Sequence, residues 1–344
     1  MLDAPWGRRF AGRLDEHVID SEVLRSNRLG DPAERPLWVY VPPGYDDDPD
    51  RSYPAIYVIQ GFTGQLDMWR NRSPMRPLFP EAVDELFSDG ETPQCLVVFV
   101  DCWTSLGGSQ FVDSPATGRY HTYLCDEVVP WVDERYRTLA AAAHRGIAGK
   151  SSGGYGAMIT PMLRPDVWGG LATHAGDALF ECCYQPEFPN VARALRDYYD
   201  GSYEVFFERL PTVEHFEYAR HGPPFEMYGY ACAYSPDLSE PGAALLPFDP
   251  STGQLDEDIW ALWLEHDPVR MAHKHADALR SMHRIYLDAG KGDEFYLDVG
   301  AQAFAHELSK IGAPHTLELF DGKHGGITYR YPGAIRELVT ALQA

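Results

Sequence analysis

Residues Gly149-Lys150-Ser151-Ser152-Gly153 read G-x-S-x-G, with Gly154, Tyr155 and Gly156 after them. A serine in that frame is a candidate nucleophile. Its hydroxyl needs a base to take the proton and an acid to orient the base. The glycines have a steric reason. The turn forces the serine backbone into a strained conformation, and Cβ atoms beside it would clash. The motif follows a short apolar run at 146–148 and precedes a helical stretch at 157–163. That strand–turn–helix setting is the context it needs. The hydroxyl then sits at a helix N-terminus, where the backbone dipole favours developing negative charge, and the amide of Ser152 can donate to an oxyanion. A phosphate-binding loop is a poor alternative, because the G-x-x-x-x-G-K-[ST] spacing is absent. Ser152 is the rival nucleophile, but the frame favours Ser151.

In this architecture the chain order is serine, acid, histidine. Two late segments fit. In 285–295, an apolar strand runs into a glycine-rich loop carrying Asp288, Asp293 and Glu294. In 317–326, the last strand runs into a loop that holds His324 between glycine-containing flanks. His324 is the expected base among thirteen histidines. His144 precedes the elbow strand, on the wrong edge of a sheet, while His174 ends the next strand and could line a pocket. His273 and His275 form H-x-H without a third ligand at a clear spacing, so no metal is expected. Position favours Asp293 as the acid, with Asp288, Glu294 and Asp177 as alternatives.

The second oxyanion donor should come from the loop after the strand at 55–59. That loop reads Gln60-Gly61-Phe62-Thr63-Gly64. A glycine at 61 lets the backbone approach the serine, and the amide of Phe62 can then donate. Met68 and Trp69 are apolar enough to wall an acyl pocket. Gly61, Met68, Trp69 and Tyr155 are the expected substrate contacts. No cofactor is required.

These residues must be carried by a frame, and the chain supplies one. Apolar runs at 37–41, 55–59, 95–100, 147–148, 170–173, 285–287 and 316–320 lack polar alternation, as strands covered on both faces do. Helical spacing separates them at 80–87, 121–136, 152–163, 304–311 and 334–342, with Pro130 placed to kink the second. Alternating strands and helices imply right-handed crossovers and a doubly wound, mostly parallel α/β sheet. The rhythm breaks between 177 and 279, a long aromatic and proline-rich stretch. The expected division is therefore a core of 1–176 and 280–344 with an inserted cap at 177–279, whose aromatics chiefly form its own core.

The 344 residues contain 51 acids and 29 Lys or Arg, for a net charge of −22. That field opposes binding to nucleic acid or to an anionic membrane. No apolar run approaches the roughly 20 residues of a membrane span. The stretch 1–10 carries Asp3, Pro5, Arg8 and Arg9 and lacks a signal-peptide pattern. The six cysteines lack metal or disulfide-scaffold spacing. Together these features lead us to expect reduced thiols and a cytoplasmic location. The sequence leaves the oligomeric state open, a homo-oligomer included.

The chain resembles the esterase D-like family of α/β-hydrolases, which takes in S-formylglutathione hydrolases, feruloyl and acetyl-xylan esterases, enterochelin esterases and mycolyltransferases. The resemblance rests on the Gly61-Phe62 turn, the 107–112 stretch with 114–118 after it, and the 127–137 helix. The 149–158 elbow, the 290–295 acid loop and His324 complete it. It covers most of 35–175 and 283–342. It implies an α/β-hydrolase fold with nucleophile Ser151, base His324, acid Asp293 and oxyanion amides at Phe62 and Ser152. The implied activity is hydrolysis of a small or medium ester through an acyl-enzyme, or acyl transfer by the same triad. A hydrolase-fold binding protein without chemistry is the alternative from another class. The insertion of about a hundred residues after Asp177 departs from compact members and leaves the substrate open.

Overall fold

The computed structural model describes residues 8–88, 90–239 and 243–343; residues 1–7, which carry most of the N-terminal stretch read above, lie outside them. The described residues form a central eight-stranded sheet. Its strands are β1 (Arg13–Asp20), β2 (Glu34–Val41), β3 (Ala55–Ile59), β4 (Leu96–Val100), β5 (Arg145–Ser151), β6 (Gly170–Gly176), β7 (Arg284–Gly290) and β8 (Thr316–Phe320). They lie in the order β1-β2-β4-β3-β5-β6-β7-β8. β2 runs antiparallel to both its neighbours, and all other pairs are parallel.

The helices that concern the site and its frame are α1 (Phe79–Ser88), α2 (Val129–Arg135), α3 (Ser152–Leu163), α4 (Phe188–Tyr198), α5 (Tyr203–Arg209), α6 (Tyr218–Tyr234), α7 (Glu257–Leu264), α8 (Pro268–Lys274), α9 (Leu297–Lys310) and α10 (Tyr331–Leu342). Strand side chains alternate between two core layers, as the pleat requires. Ile56 and Val58 of β3 join Val97 and Phe99 of β4 under α1 and α10. Tyr57 and Ile59 join Val98 and Val100 in the other layer, with α3, α9 and helices of the 177–279 stretch. Both faces being covered explains the unbroken apolar runs.

Helix α10 fits β5 and β6 because those strands carry glycine beneath it. A Cβ at Gly146 or Gly170 would stand 3.4 or 3.2 Å from the methyl carbons of Leu338. Leu338 fills that groove and is fully buried. Leu338→Ala is expected to cost about 3 kcal/mol, the transfer loss plus a cavity the rigid sheet cannot close. Urea unfolding measures it, and a cost below about 1 kcal/mol would contradict this packing.

Three elements differ from the sequence expectation. β8, expected to be covered on both faces, is an edge strand that is only partly buried, with Glu318 exposed. β1 reads Arg-Leu-Asp-Glu-His-Val-Ile-Asp and shows no apolar run, because it is an edge strand with largely accessible side chains. The 121–136 segment is helical, but it widens into a π-helix over Tyr123–Val128 before α2. Pro130 lacks an N–H and its ring crowds the carbonyl four residues back, which the wider turn relieves.

Within 177–279, α4 packs on α6, while α8 and Ala276–Arg280 lie against α3 and α9 beside the sheet. Phe188 stacks on Phe248 at 4.5 Å and meets Trp260 at 5.6 Å. These rings are continuous with the core layer of the sheet. Among the described residues no helix is long and apolar enough to cross a membrane. All six cysteines are free, and five of them are buried.

Candidate active site

Ser151 ends β5 and caps α3 with φ 58° and ψ −129°. A side chain held there stores on the order of 1–3 kcal/mol of backbone strain. The glycines of the motif make the turn possible. A Cβ on Gly149 would stand 2.1 Å from the carbonyl oxygen of Gly153, and one on Gly153 would stand 2.6 Å from that of Gln60. Helix α3 therefore starts pressed against β5 and the end of β3.

The loops after β7 and β8 bring two more side chains to the serine. Nε2 of His324 lies 3.2 Å from Oγ of Ser151. Nδ1 of the same ring lies 2.9 Å from Oδ2 of Asp293. The other oxygen of Asp293 accepts from the Phe295 N–H at 2.9 Å. Its carboxylate is fully buried, whereas the imidazole keeps 14% exposure. With the proton on Nδ1, Nε2 is free to accept from the serine hydroxyl. Phe295 braces the ring edge-on at 5.0 Å.

The other acids have different partners. Glu294 accepts from the backbone N–H of His324 at 3.0 Å and pairs with Lys323 at 3.1 Å. Those interactions pull its carboxyl down to about 2 and hold the histidine loop by its backbone. Asp288 is buried against His174, 2.7 Å away, and Arg330, 2.8 Å away. His174 is therefore a core residue and does not reach the pocket. His144 bonds the carbonyl of Leu342 at 2.6 Å. Among the described residues no three His, Cys, Asp or Glu side chains are grouped to hold a metal.

Asp177 is buried directly behind the elbow. One oxygen accepts from the Ser152 hydroxyl at 2.9 Å, the Tyr184 hydroxyl at 2.8 Å and the Gln110 amide at 3.4 Å. Burial raises its pKa, and these donors oppose the rise. The hydroxyl of Ser152 is thus engaged with Asp177. Asp177→Ala would orphan the buried Ser152 hydroxyl and leave Tyr184 and Gln110 only each other and Tyr234, and is expected to cost about 3 kcal/mol of stability. Asp177→Asn keeps one carbonyl that can accept all three, so its cost should stay within about 1 kcal/mol. Equal costs in chemical denaturation would contradict this account of the network.

The turn after β3 flanks the serine. A Cβ on Gly61 would lie 3.3 Å from the Cβ of Ser151. Asp101, ion-paired with Arg35, anchors that loop by accepting from the Leu66 N–H at 3.4 Å. Ser152 is the first residue of α3, where backbone N–H groups have no partner within the helix.

Around these groups lies a cavity of about 350 Å³. Ser151, His324, Gly61, Phe62, Met68 and Trp69 line it. Tyr155 does not. It is fully buried beneath, against Phe180 and Tyr234 at 6.0 and 5.8 Å, because its place on α3 turns it into the core under the insertion. Sequence reasoning missed the facing wall, where Tyr184, Glu187, Tyr218, Glu226, Met227 and Tyr230 enter the cavity. Aromatic richness was the one signal for them. Lys150 also lines it. Burial pulls its pKa down, and Asp293, Asp177 and Glu294 counter that.

A strained serine at the strand–helix elbow of a sheet in this order defines an α/β-hydrolase. Residues 26–326 match the esterase family described as "Putative esterase", and the chain belongs to that family. Solved structures with the same fold include a ferulic acid esterase, with TM-score 0.60 and 16% identity over 97% of this chain and 98% of that one. The S-formylglutathione hydrolase of Agrobacterium tumefaciens gives TM-score 0.58 and 17% identity over 98% of each chain. Among curated proteins, an endo-1,4-beta-xylanase/feruloyl esterase of Xylanibacter ruminicola is 24% identical over 166 residues, 47% of this chain and 22% of that protein. The uncharacterized protein YbbA of Bacillus subtilis is 25% identical over 157 residues, 43% of this chain and 59% of that one. The matches thus span less than two thirds of those relatives.

Proposed function

We propose that this chain is a serine esterase that hydrolyses a small or medium carboxylic ester. One observation carries the reading: a single imidazole stands within hydrogen-bond reach of both a strained serine and a buried carboxylate. In the reaction, Ser151 Oγ attacks the ester carbonyl carbon while its proton passes to Nε2 of His324. Asp293 holds the imidazole in the tautomer that can accept and stabilises the imidazolium. The amides of Phe62 and Ser152 donate to the tetrahedral oxyanion, each worth about 3 kcal/mol or more. Collapse expels the alcohol, which takes the proton from His324. Water, deprotonated by the same nitrogen, then attacks the acyl-enzyme and releases the acid. No step calls for a metal or a cofactor.

In this reading 1–176 and 280–344 are the hydrolase core and 177–279 is the cap that shapes the substrate pocket. The cap-side cavity wall supports that division. Free, mostly buried thiols support a reducing, cytoplasmic setting. A fluorophosphonate tests the reading, because it reacts with an activated serine. Folded protein is expected to take up one label, on Ser151. Folded protein that stays unlabelled would refute the proposal.

A further inference from the structure

The lining of the cavity carries more acid than base. Glu226 enters it from α6 and Glu187 from the Gln185–Glu187 turn, with Asp177 deeper in. Lys150 is the one Lys or Arg among the described residues that line it, and it feels the charge of Asp293, Asp177 and Glu294. The Tyr218 hydroxyl reaches both oxygens of Glu226 at 3.1 Å. The rings of Tyr184 and Tyr230 stand 4.7 Å apart along the same wall, and Phe62 lies 4.7 Å from Tyr230. Carboxylates set among aromatic faces are the chemistry that holds an alkylammonium group: charge meets charge, and the ring faces attract the cation as well. An anionic acyl group or alcohol would meet repulsion there, and a neutral one would leave the carboxylate without a counter-charge.

Resting on the serine-esterase reading, we infer that the preferred substrate is an ester bearing an alkylammonium group, with Glu226 as the residue that selects it. Glu187 adds to the field. The net charge of −22 draws cations towards the mouth.

The state of Glu226 gives the inference a pH signature. Burial raises its carboxyl to about 7; the Tyr218 hydroxyl opposes the rise, and Glu187 and Asp177 add to it. Lys150, His324 and the Cys183 thiol are the other ionisable groups lining the cavity besides the tyrosines. Below about pH 7 Glu226 is neutral and holds a cation weakly; above it the carboxylate forms and the preference grows. A ratio between two matched substrates removes any effect that acts on both alike.

The test compares kcat/KM for acetylcholine with that for its carbon isostere. A second pair, the ethyl ester of trimethylammoniobutanoate and its carbon isostere, places the cation on the acyl side. At about pH 8.5 the cationic member of at least one pair should be favoured about tenfold. That ratio should fall about threefold or more by about pH 5.5. Glu226→Gln should remove the pH dependence of the ratio. Ratios near one throughout, or a pH dependence unchanged in Glu226→Gln, would overturn the inference. Turnover of the neutral esters and fluorophosphonate labelling of the wild type report separately on the esterase itself. If both are absent, the underlying reading fails. If they are present and the ratios are flat, the ammonium inference alone fails.

Discussion

Replacing Ser151 with alanine is expected to lower kcat/KM on a short ester by about a hundred-thousandfold to a millionfold. The size follows from the role. Without the hydroxyl there is no acyl-enzyme, and only water positioned by the remaining groups can attack. The backbone should not object, because alanine keeps the Cβ that the φ of 58° already accommodates. Circular dichroism and the unfolding midpoint should therefore stay close to wild type. Ser152→Ala makes the informative contrast. It removes a hydroxyl that donates to Asp177 and leaves the backbone amide in place, so its cost should be about tenfold. If the two variants exchanged these effects, the nucleophile would have been assigned to the wrong serine.

Asp293→Asn is expected to lower kcat by about ten-thousandfold. The carboxylate accepts from two sides, from the Phe295 N–H and from Nδ1 of His324. An amide can accept on one side only. If its carbonyl stays with Phe295, its NH₂ faces the imidazole and donates to Nδ1. The imidazole proton then sits on Nε2 and points at Ser151, so the base cannot take the serine proton. The pH profile of kcat shows whether any residual activity still depends on His324. A loss of tenfold or less would mean that another acid orients the ring. Asp288 is a poor substitute, because Arg330 and His174 already occupy its oxygens.

Ser151 and His324 stood out in the sequence as the candidate nucleophile and base because their surroundings are local. The elbow needs glycines at fixed offsets from Ser151, and His324 follows the last apolar run. The strands were visible for a similar reason: a strand covered on both faces has no polar alternation to disguise it. β5 and β7 nonetheless run further than their apolar centres suggest, through Lys150 and Ser151 in one and Asp288 to Gly290 in the other. The end of β5 carries Ser151, and the loop beyond β7 carries Asp293. The acid stayed open at the level of residue spacing, since Asp288, Asp293, Glu294 and Asp177 all follow strands. Partners separate them, and partners come from distant loops. β1 escaped notice because an exposed edge strand needs no apolar run.

The side of the cavity formed by 177–279 was hidden for a tertiary reason. Glu226 and Tyr218 lie on one helix, yet their place in the cavity wall depends on how α6 packs on α4 and on the 107–114 segment. No period in 177–279 encodes that placement. Tyr155 failed in the opposite sense. It is close to Ser151 along the chain, but the helix turns it away from the cavity.

The most direct measurement is the site of acylation. Wild-type protein is mixed with p-nitrophenyl acetate, quenched in acid during the steady state, digested and mapped by mass spectrometry. The account predicts one acetyl group, carried on Ser151, which builds up as the first p-nitrophenol is released and disappears once the ester is spent. Acetyl found on Ser152 or Lys150, or sustained turnover with no acylated peptide in a rapidly quenched sample and full activity in Ser151→Ala, would contradict it.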